Sequence, residues 1–153
     1  MTIPAYTIRP AEPGDQGYVT STWARSLKRT VAFRRIPADR YQHTVPREID
    51  QILDRADTRV LVADAGHDRL LGWICATPIP PSVLTLHYVY VRQEHAETPL
   101  RRHGIGRALV AAAKEAGGLR TPSSIVYTYR GPDERALLAT QMGTYLPVGR
   151  FLL

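Results

Sequence analysis

Between residues 101 and 107 the chain reads RRHGIGR, three arginines and two glycines within seven positions. Gly104 and Gly106 remove side chains that would obstruct approach to the backbone, and they permit unusual dihedral angles. Arg101, Arg102 and Arg107 bring forked donors that match phosphate oxygens. Ile105, Leu109, Ala112 and Ala116 follow at helical spacing, so the glycines mark a helix start with one apolar face. The first N–H groups of a helix lack intrahelical partners, and that end is partly positive. It is a receptor for phosphate. His103, inside the loop, either touches the same phosphate or stands exposed.

The second group able to do chemistry is His87, in the alternating run VLTLHYVYV at residues 83–91. Strand alternation predicts that residues 85, 87, 89 and 91 share one face. A histidine of ordinary pKa, about 6.5, takes a proton at neutral pH directly or through water. The competing role is a hydrogen-bonded packing residue. The five histidines are scattered without metal-ligand spacing, and no nucleophile elbow is visible. No metal site is expected.

Two phosphate-binding patterns fail on the 101–107 loop. A Walker loop ends in Gly-Lys-Ser/Thr, which is missing. A dinucleotide fingerprint needs a third glycine where Leu109 stands, and an acidic residue about twenty positions on, where the chain reads SSIVYTY. The pattern that fits is Arg/Gln-x-x-Gly-x-Gly/Ala, met by Arg101, Gly104 and Gly106. On those residues the chain resembles the GNAT superfamily of acyl-CoA-dependent N-acyltransferases.

The resemblance implies an acetyl-CoA donor, or another acyl-CoA, and an amine acceptor. It assigns the pyrophosphate to Arg101, Arg102, His103, Gly104, Ile105, Gly106 and Arg107. It assigns the acyl carbonyl and the pantetheine arm to backbone groups of Val89, Tyr90 and Val91, where the central strand parts from its neighbour. A family member carries a catalytic histidine at the position of His87, while many relatives have Glu where this chain has Thr85. The tyrosine common in the family's last helix is replaced by Thr140. Tyr145, Tyr127 or Tyr129 are then the candidates to protonate the leaving thiolate, with Tyr145 the first of them, unless the thiolate, a tolerable leaving group, departs without an acid. Two departures stand out. AETPL, residues 96–100, looks like an insert before the arginine-glycine loop, and the C-terminal end is short.

The elements that must position these residues follow the family's order. YTIRPAEPGD reads as a strand running into a helix start with Pro13 in its first turn. Val19, Trp23 and Leu27 recur at four-residue intervals on that helix. A second helix fits PREIDQILDRA, with Ile49, Ile52, Leu53 and Ala56 on one side and Pro46 near its start. Residues 58–78 read as a hairpin, SSIVYTYR as a strand, DERALLATQM as a last helix and YLPVGRFLL as a closing strand. The expected fold is a single α/β domain over residues 1–153: a mixed, partly antiparallel sheet flanked by helices, with a splayed central strand.

The 153 residues suit one core. No apolar run reaches the roughly 18 residues of a membrane span, and the N-terminus lacks a signal-peptide layout, so a cytoplasmic, non-membrane protein is expected. Cys75 has no second cysteine to pair with. The net charge of +6 is concentrated at residues 25–40, RSLKRTVAFRRIPADR, with six Arg/Lys against one Asp. Arg25, Lys28 and Arg29 share a helical face. The resemblance sets this basic surface beside the acceptor, as a substrate-binding patch. Two alternatives to a small-amine acetyltransferase are a nucleic-acid-modifying relative, whose partner is a polyanion, and an inactive CoA-binding module.

Overall fold

The computed structural model describes residues 3–30, 33–92, 103–121 and 123–127 and the backbone of the strand at 144–145. The elements run β1 (Thr7–Pro10), a 3₁₀ turn (Pro13–Asp15), α1 (Gln16–Lys28), α2 (Ala38–Leu53), β2 (Arg59–Asp64), β3 (Leu70–Ile79), β4 (Val83–Val91), α3 (Ile105–Ala116), β5 (Ser124–Tyr127) and β6 (Thr144–Tyr145). Among the described residues they form one sheet in the order β1-β2-β3-β4-β5-β6. The pairings from β1 to β4 are antiparallel, and β4–β5 and β5–β6 are parallel. The fold is the expected mixed α/β sheet with helices on both faces. No helix among the described residues is long and apolar enough to cross a membrane.

Each face of the sheet has its own core. On one, α3 packs Ile105, Leu109, Val110 and Ala113 against Ile74, Ala76, Leu84, Leu86 and Ile125. On the other, α1 and α2 pack Val19, Trp23, Leu27, Tyr41, Val45, Ile49 and Ile52 against Val62, Trp73, Cys75 and Tyr88. The α1 stripe is as the sequence indicates: Val19, Trp23 and Leu27 are all buried. The start of α1 is held by Arg9, which bonds Asp15 at 2.7 Å and Asp64 at 2.8 Å, while Asp15 also accepts the Glu12 N–H. Arg9 holds the Asp15 carboxyl below its ordinary pKa.

Three expectations are corrected. Helix α2 begins at Ala38, eight residues before Pro46, which lies inside it. The stripe Tyr41, Val45, Ile49, Ile52 buries enough apolar surface to outweigh a proline that costs an isolated helix about 3 kcal/mol. Ala56 falls beyond the helix and is exposed. On α3 the buried stripe is Ile105, Leu109 and Ala113, with Gly106 and Val110, and Ala116 is exposed. Spacing by 3.6 residues centres the face one position away from Ala112. The expected last helix, the 96–100 insert, and the chain beyond Tyr145 lie outside the described residues.

Candidate active site

The site is organised by one extra residue in β4. Cys75 pairs with Tyr88, but the next residue of β3, Ala76, pairs with Leu86, so His87 is bulged out of the ladder. A bulge breaks the alternation of side chains. Before it, Leu84 and Leu86 face α3, whereas after it Val89 and Val91 do. Tyr88 and Tyr90 face α1 and α2, as Thr85 and His87 do. The expectation that residues 85, 87, 89 and 91 share a face is therefore overturned: His87 points away from Val89 and Val91, on the side of the tyrosines.

The bulge also sorts the backbone. The Arg92 N–H donates to the Leu71 carbonyl at 2.8 Å. In an antiparallel ladder inward and outward amides alternate, so the amides of Tyr88 and Tyr90 also turn toward β3. Those of Val89 and Val91 turn toward the β5 side. The last described pair between β4 and β5 is Leu86 with Tyr127, before these residues. Gly72 keeps the far half of β4 close to β3, because a Cβ there would sit 2.5 Å from the Tyr90 carbonyl oxygen.

At the start of α3, Gly104 is the N-cap with φ 81° and ψ 4°, a left-handed conformation in which other residues are strained. Its carbonyl accepts the Ala108 N–H at 2.9 Å, and no side chain caps the helix. The first-turn amides of Ile105, Gly106 and Arg107 thus keep the capacity to hold an anion. The Ile105 side chain is buried and anchors this end, while His103 and Arg107 are exposed. Arg101 and Arg102 lie outside the described residues. These backbone donors fit a pyrophosphate, the polar part of the donor that the loop pattern implies.

His87 is 4% exposed, and its Nε2 lies 2.8 Å from the Thr77 hydroxyl, which is 3.3 Å from that of Thr58. Burial, with a smaller push from Arg55 and partial relief from Asp57, lowers its pKa to about 4. The imidazole is neutral at physiological pH, and its titration lies far below the expected value near 6.5.

Around it the α1/α2 face is aromatic. Trp23 stacks on Tyr88 at 5.5 Å between centroids, Trp73 stacks on the half-buried Tyr90 at 6.0 Å, and Trp73 donates to the Thr22 hydroxyl at 2.8 Å. Trp23 Nε1 and Thr85 Oγ1 are buried without a hydrogen-bond partner among the described residues. Of the three basic residues expected on one face of α1, Arg25 and Arg29 are exposed. Lys28 turns inward, donating to the Ile36 carbonyl and lying 4.8 Å above the Tyr41 ring, so it closes the α1–α2 connection. Tyr145 is in β6, its backbone paired with Tyr127, and its side chain lies outside the described residues. Tyr129 does too. Sequence reasoning missed Gly72, Thr77 and Arg92; only Gly72 left a signal, an isolated glycine inside an apolar strand.

Comparison with known proteins bears on this geometry. Residues 25–120, more than half of the chain, match the Acetyltransferase (GNAT) family. Among solved structures, a ribosomal-protein-alanine N-acetyltransferase from Brucella melitensis biovar Abortus 2308 superposes with a TM-score of 0.57 at 18% identity, over 89% of this chain and 90% of that one. AAC(6')-Iy, in complex with the bisubstrate analogue CoA-S-monomethyl-acetylneamine, gives a TM-score of 0.52 at 16% identity, over 88% and 86% of the two chains. A transcriptional regulator from Bacillus halodurans C-125 gives 0.50 at 23% identity, over 89% of each. At these identities the likeness is one of fold. No curated protein sequence matches the chain.

Proposed function

Because the chain belongs to the GNAT acetyltransferase family, whose acyl donor is acetyl-CoA, we propose that it is an N-acetyltransferase carrying an acetyl group to a primary amine. The observation that carries this reading is the division of β4 by the His87 bulge. Val89 and Val91 turn their side chains to the α3 face and their amides outward toward the β5 side, beyond the last described β4–β5 pair, while α3 offers a helix start suited to pyrophosphate. The opposite side has an aromatic surface and a histidine, and so is left for the acceptor. Donor and acceptor then approach one strand from opposite faces.

Acetyl-CoA supplies the acetyl group as a thioester. The amides of Ile105, Gly106 and Arg107, with the guanidinium groups of Arg101, Arg102 and Arg107 and with His103, hold its pyrophosphate. The backbone of Val89, Tyr90 and Val91 orients the pantetheine arm, and the outward N–H groups bond the carbonyl oxygen as it gains negative charge. His87, neutral above pH about 4, takes the proton that the amine sheds. Tyr145 returns a proton to the leaving thiolate sulfur. The protein works in the cytoplasm.

A second reading rests on Arg25, Arg29, Arg34, Arg35 and Arg40. All five are exposed, and none forms an ion pair among the described residues. In it the amine is borne by a nucleic acid or another polyanion, and binding weakens steeply with salt.

The test is transfer from acetyl-labelled CoA to a panel of primary amines, peptides, tRNA and DNA. Label on nitrogen with release of free CoA is expected. Tight acetyl-CoA binding with no transfer to any acceptor would reduce the protein to a CoA-binding module.

A further inference from the structure

Thr58, Thr77 and His87 stand in a row across three neighbouring segments of the sheet. In the β2–β3 register Arg59 pairs with Ala76, so Thr58, just before β2, comes opposite Thr77, and their hydroxyl oxygens are 3.3 Å apart. In the β3–β4 register Thr77 pairs with Thr85, yet the Thr77 hydroxyl lies 2.8 Å from Nε2 of the bulged His87. The Thr85 hydroxyl is buried without a partner among the described residues. The bulge thus brings the ring, rather than the register partner, to Thr77. Thr77 is buried, and Thr58 is half-buried at the end of the row nearer solvent.

Burial keeps the ring neutral at physiological pH, so it carries one hydrogen, on one nitrogen or the other. Each hydroxyl also has one hydrogen to give, and the row runs in one of two directions. Outward, Nε2–H donates to Thr77, Thr77 donates to Thr58, and Thr58 gives its own hydrogen to solvent. The lone pair of the ring is then on Nδ1. Inward, Thr58 donates to Thr77 and Thr77 to Nε2, and Nδ1 carries the hydrogen. Only the outward row leaves a basic nitrogen, because inward the Nε2 lone pair is taken by Thr77. An imidazolium donates from both nitrogens, so the outward row also fits the ring after it gains a proton. No hydroxyl has to turn, and a site already arranged for the charge it will hold avoids that reorganisation.

From this row, and resting on the proposed acetyl transfer, we infer that Thr58 is a positioning residue for His87. By accepting the Thr77 hydrogen it leaves the Thr77 oxygen to accept Nε2–H, which sets His87 as the tautomer with its lone pair on Nδ1. In the transfer step the amine N–H bond breaks, its electron pair stays on the amine nitrogen, and the proton forms an N–H bond at Nδ1. The imidazolium keeps its Nε2–H on Thr77 and gives the Nδ1 proton to solvent after the product leaves. Without the Thr58 oxygen, the Thr77 hydrogen turns to Nε2, the acceptor already at 2.8 Å, and the row runs inward.

The experiment records long-range nitrogen–proton NMR spectra of the histidine-labelled protein at neutral pH, with wild type, Thr58→Val and Thr58→Ser. The His87 signals are assigned by their absence in His87→Gln. Wild type and Thr58→Ser should show the Nε2–H tautomer, and the isosteric Thr58→Val should move it toward Nδ1–H. In acetyl transfer Thr58→Val should lower kcat by about threefold to tenfold, the worth of one hydrogen bond, with the KM for acetyl-CoA unchanged, and Thr58→Ser should restore it. An Nδ1–H ring in wild type overturns the inference, as does a tautomer that Thr58→Val leaves unchanged. Equal losses of rate in both variants would make Thr58 a packing residue and overturn it too. Transfer to no amine by wild type would remove the acetyltransferase reading and the catalytic role of the row with it. The spectra tell that failure from a failure of the row itself.

Discussion

On the face of β4 that meets α3, Leu84, Leu86, Val89 and Val91 present only aliphatic groups, and in the proposed function the chemistry on that side is left to backbone amides and a glycine-capped helix start. On the face toward α1 and α2 the same strand presents Thr85, His87, Tyr88 and Tyr90, with Trp23 and Trp73 packed against the tyrosines. In the proposed function, backbone donors bind what is common to every donor molecule, a pyrophosphate and a carbonyl, and tolerate changes of side chain. Side-chain donors discriminate. The difference teaches that specificity in this protein is to be sought on one side of the strand only.

The largest effect that could break this division is on rate. His87→Ala should lower acetyl transfer roughly 10²–10⁴-fold if the imidazole takes the amine proton, with acetyl-CoA affinity little changed because His87 faces away from the donor. In the wild type kcat/KM should show a limb near pH 4, where His87 titrates. A rise through neutral or alkaline pH should persist in the variant, since it belongs to the acceptor amine. An unchanged rate would make His87 a packing residue and leave the acceptor face without a base.

Next in size is a dependence of stability on acid. His87 has a folded pKa of about 4 against an ordinary 6.5, so between those values the unfolded chain binds more protons. Stability is full above pH 6.5 and declines as pH falls toward 4, by about 3 kcal/mol in all. Urea melts at pH 7 and pH 4 on wild type and His87→Gln should show that part of the loss vanish in the variant. An identical pH dependence in both would mean that the ring is not buried neutral.

On the donor face, Gly104→Val forces a β-branched residue into the left-handed region, at a cost of about 1–3 kcal/mol, or a reorientation of the cap. Acetyl-CoA affinity by calorimetry should fall roughly tenfold to hundredfold while the protein stays folded, because a Cβ there meets nothing within 4 Å. Full affinity in the folded variant would move the pyrophosphate elsewhere.

The smallest effect compares two threonines on the acceptor face. Thr77 bonds His87 at 2.8 Å, so Thr77→Val should cost about 1–3 kcal/mol and shift the His87 pKa. The Thr85 hydroxyl is buried and unpartnered, so Thr85→Val should be neutral or slightly stabilising. Equal losses in denaturant melts would contradict the assigned hydrogen bonds.

The legible parts were those with a period or a cap. The 3.6-residue stripe of α1, the two apolar runs and Gly-containing turn of the β2–β3 hairpin, the bounds of β4 at 83 and 91 and the glycine start of α3 follow from local patterns. Pro46 misled because proline favours a first turn, and the buried contacts that carry α2 through it lie on other elements. The fold and the glycine cap of α3 were therefore readable before any coordinates, since helix caps and strand runs are local properties of the chain. The tertiary structure decided which way His87 points. Nothing in VLTLHYVYV marks the bulge, which arises from how β3 and β4 register against each other. It also decided the His87 pKa, because desolvation depends on what the fold stacks above the ring. The meeting of Tyr18 on α1 with Tyr90 on β4, 72 positions apart in sequence, is likewise tertiary: long-range proximity is a property of packing, and no local spacing encodes it.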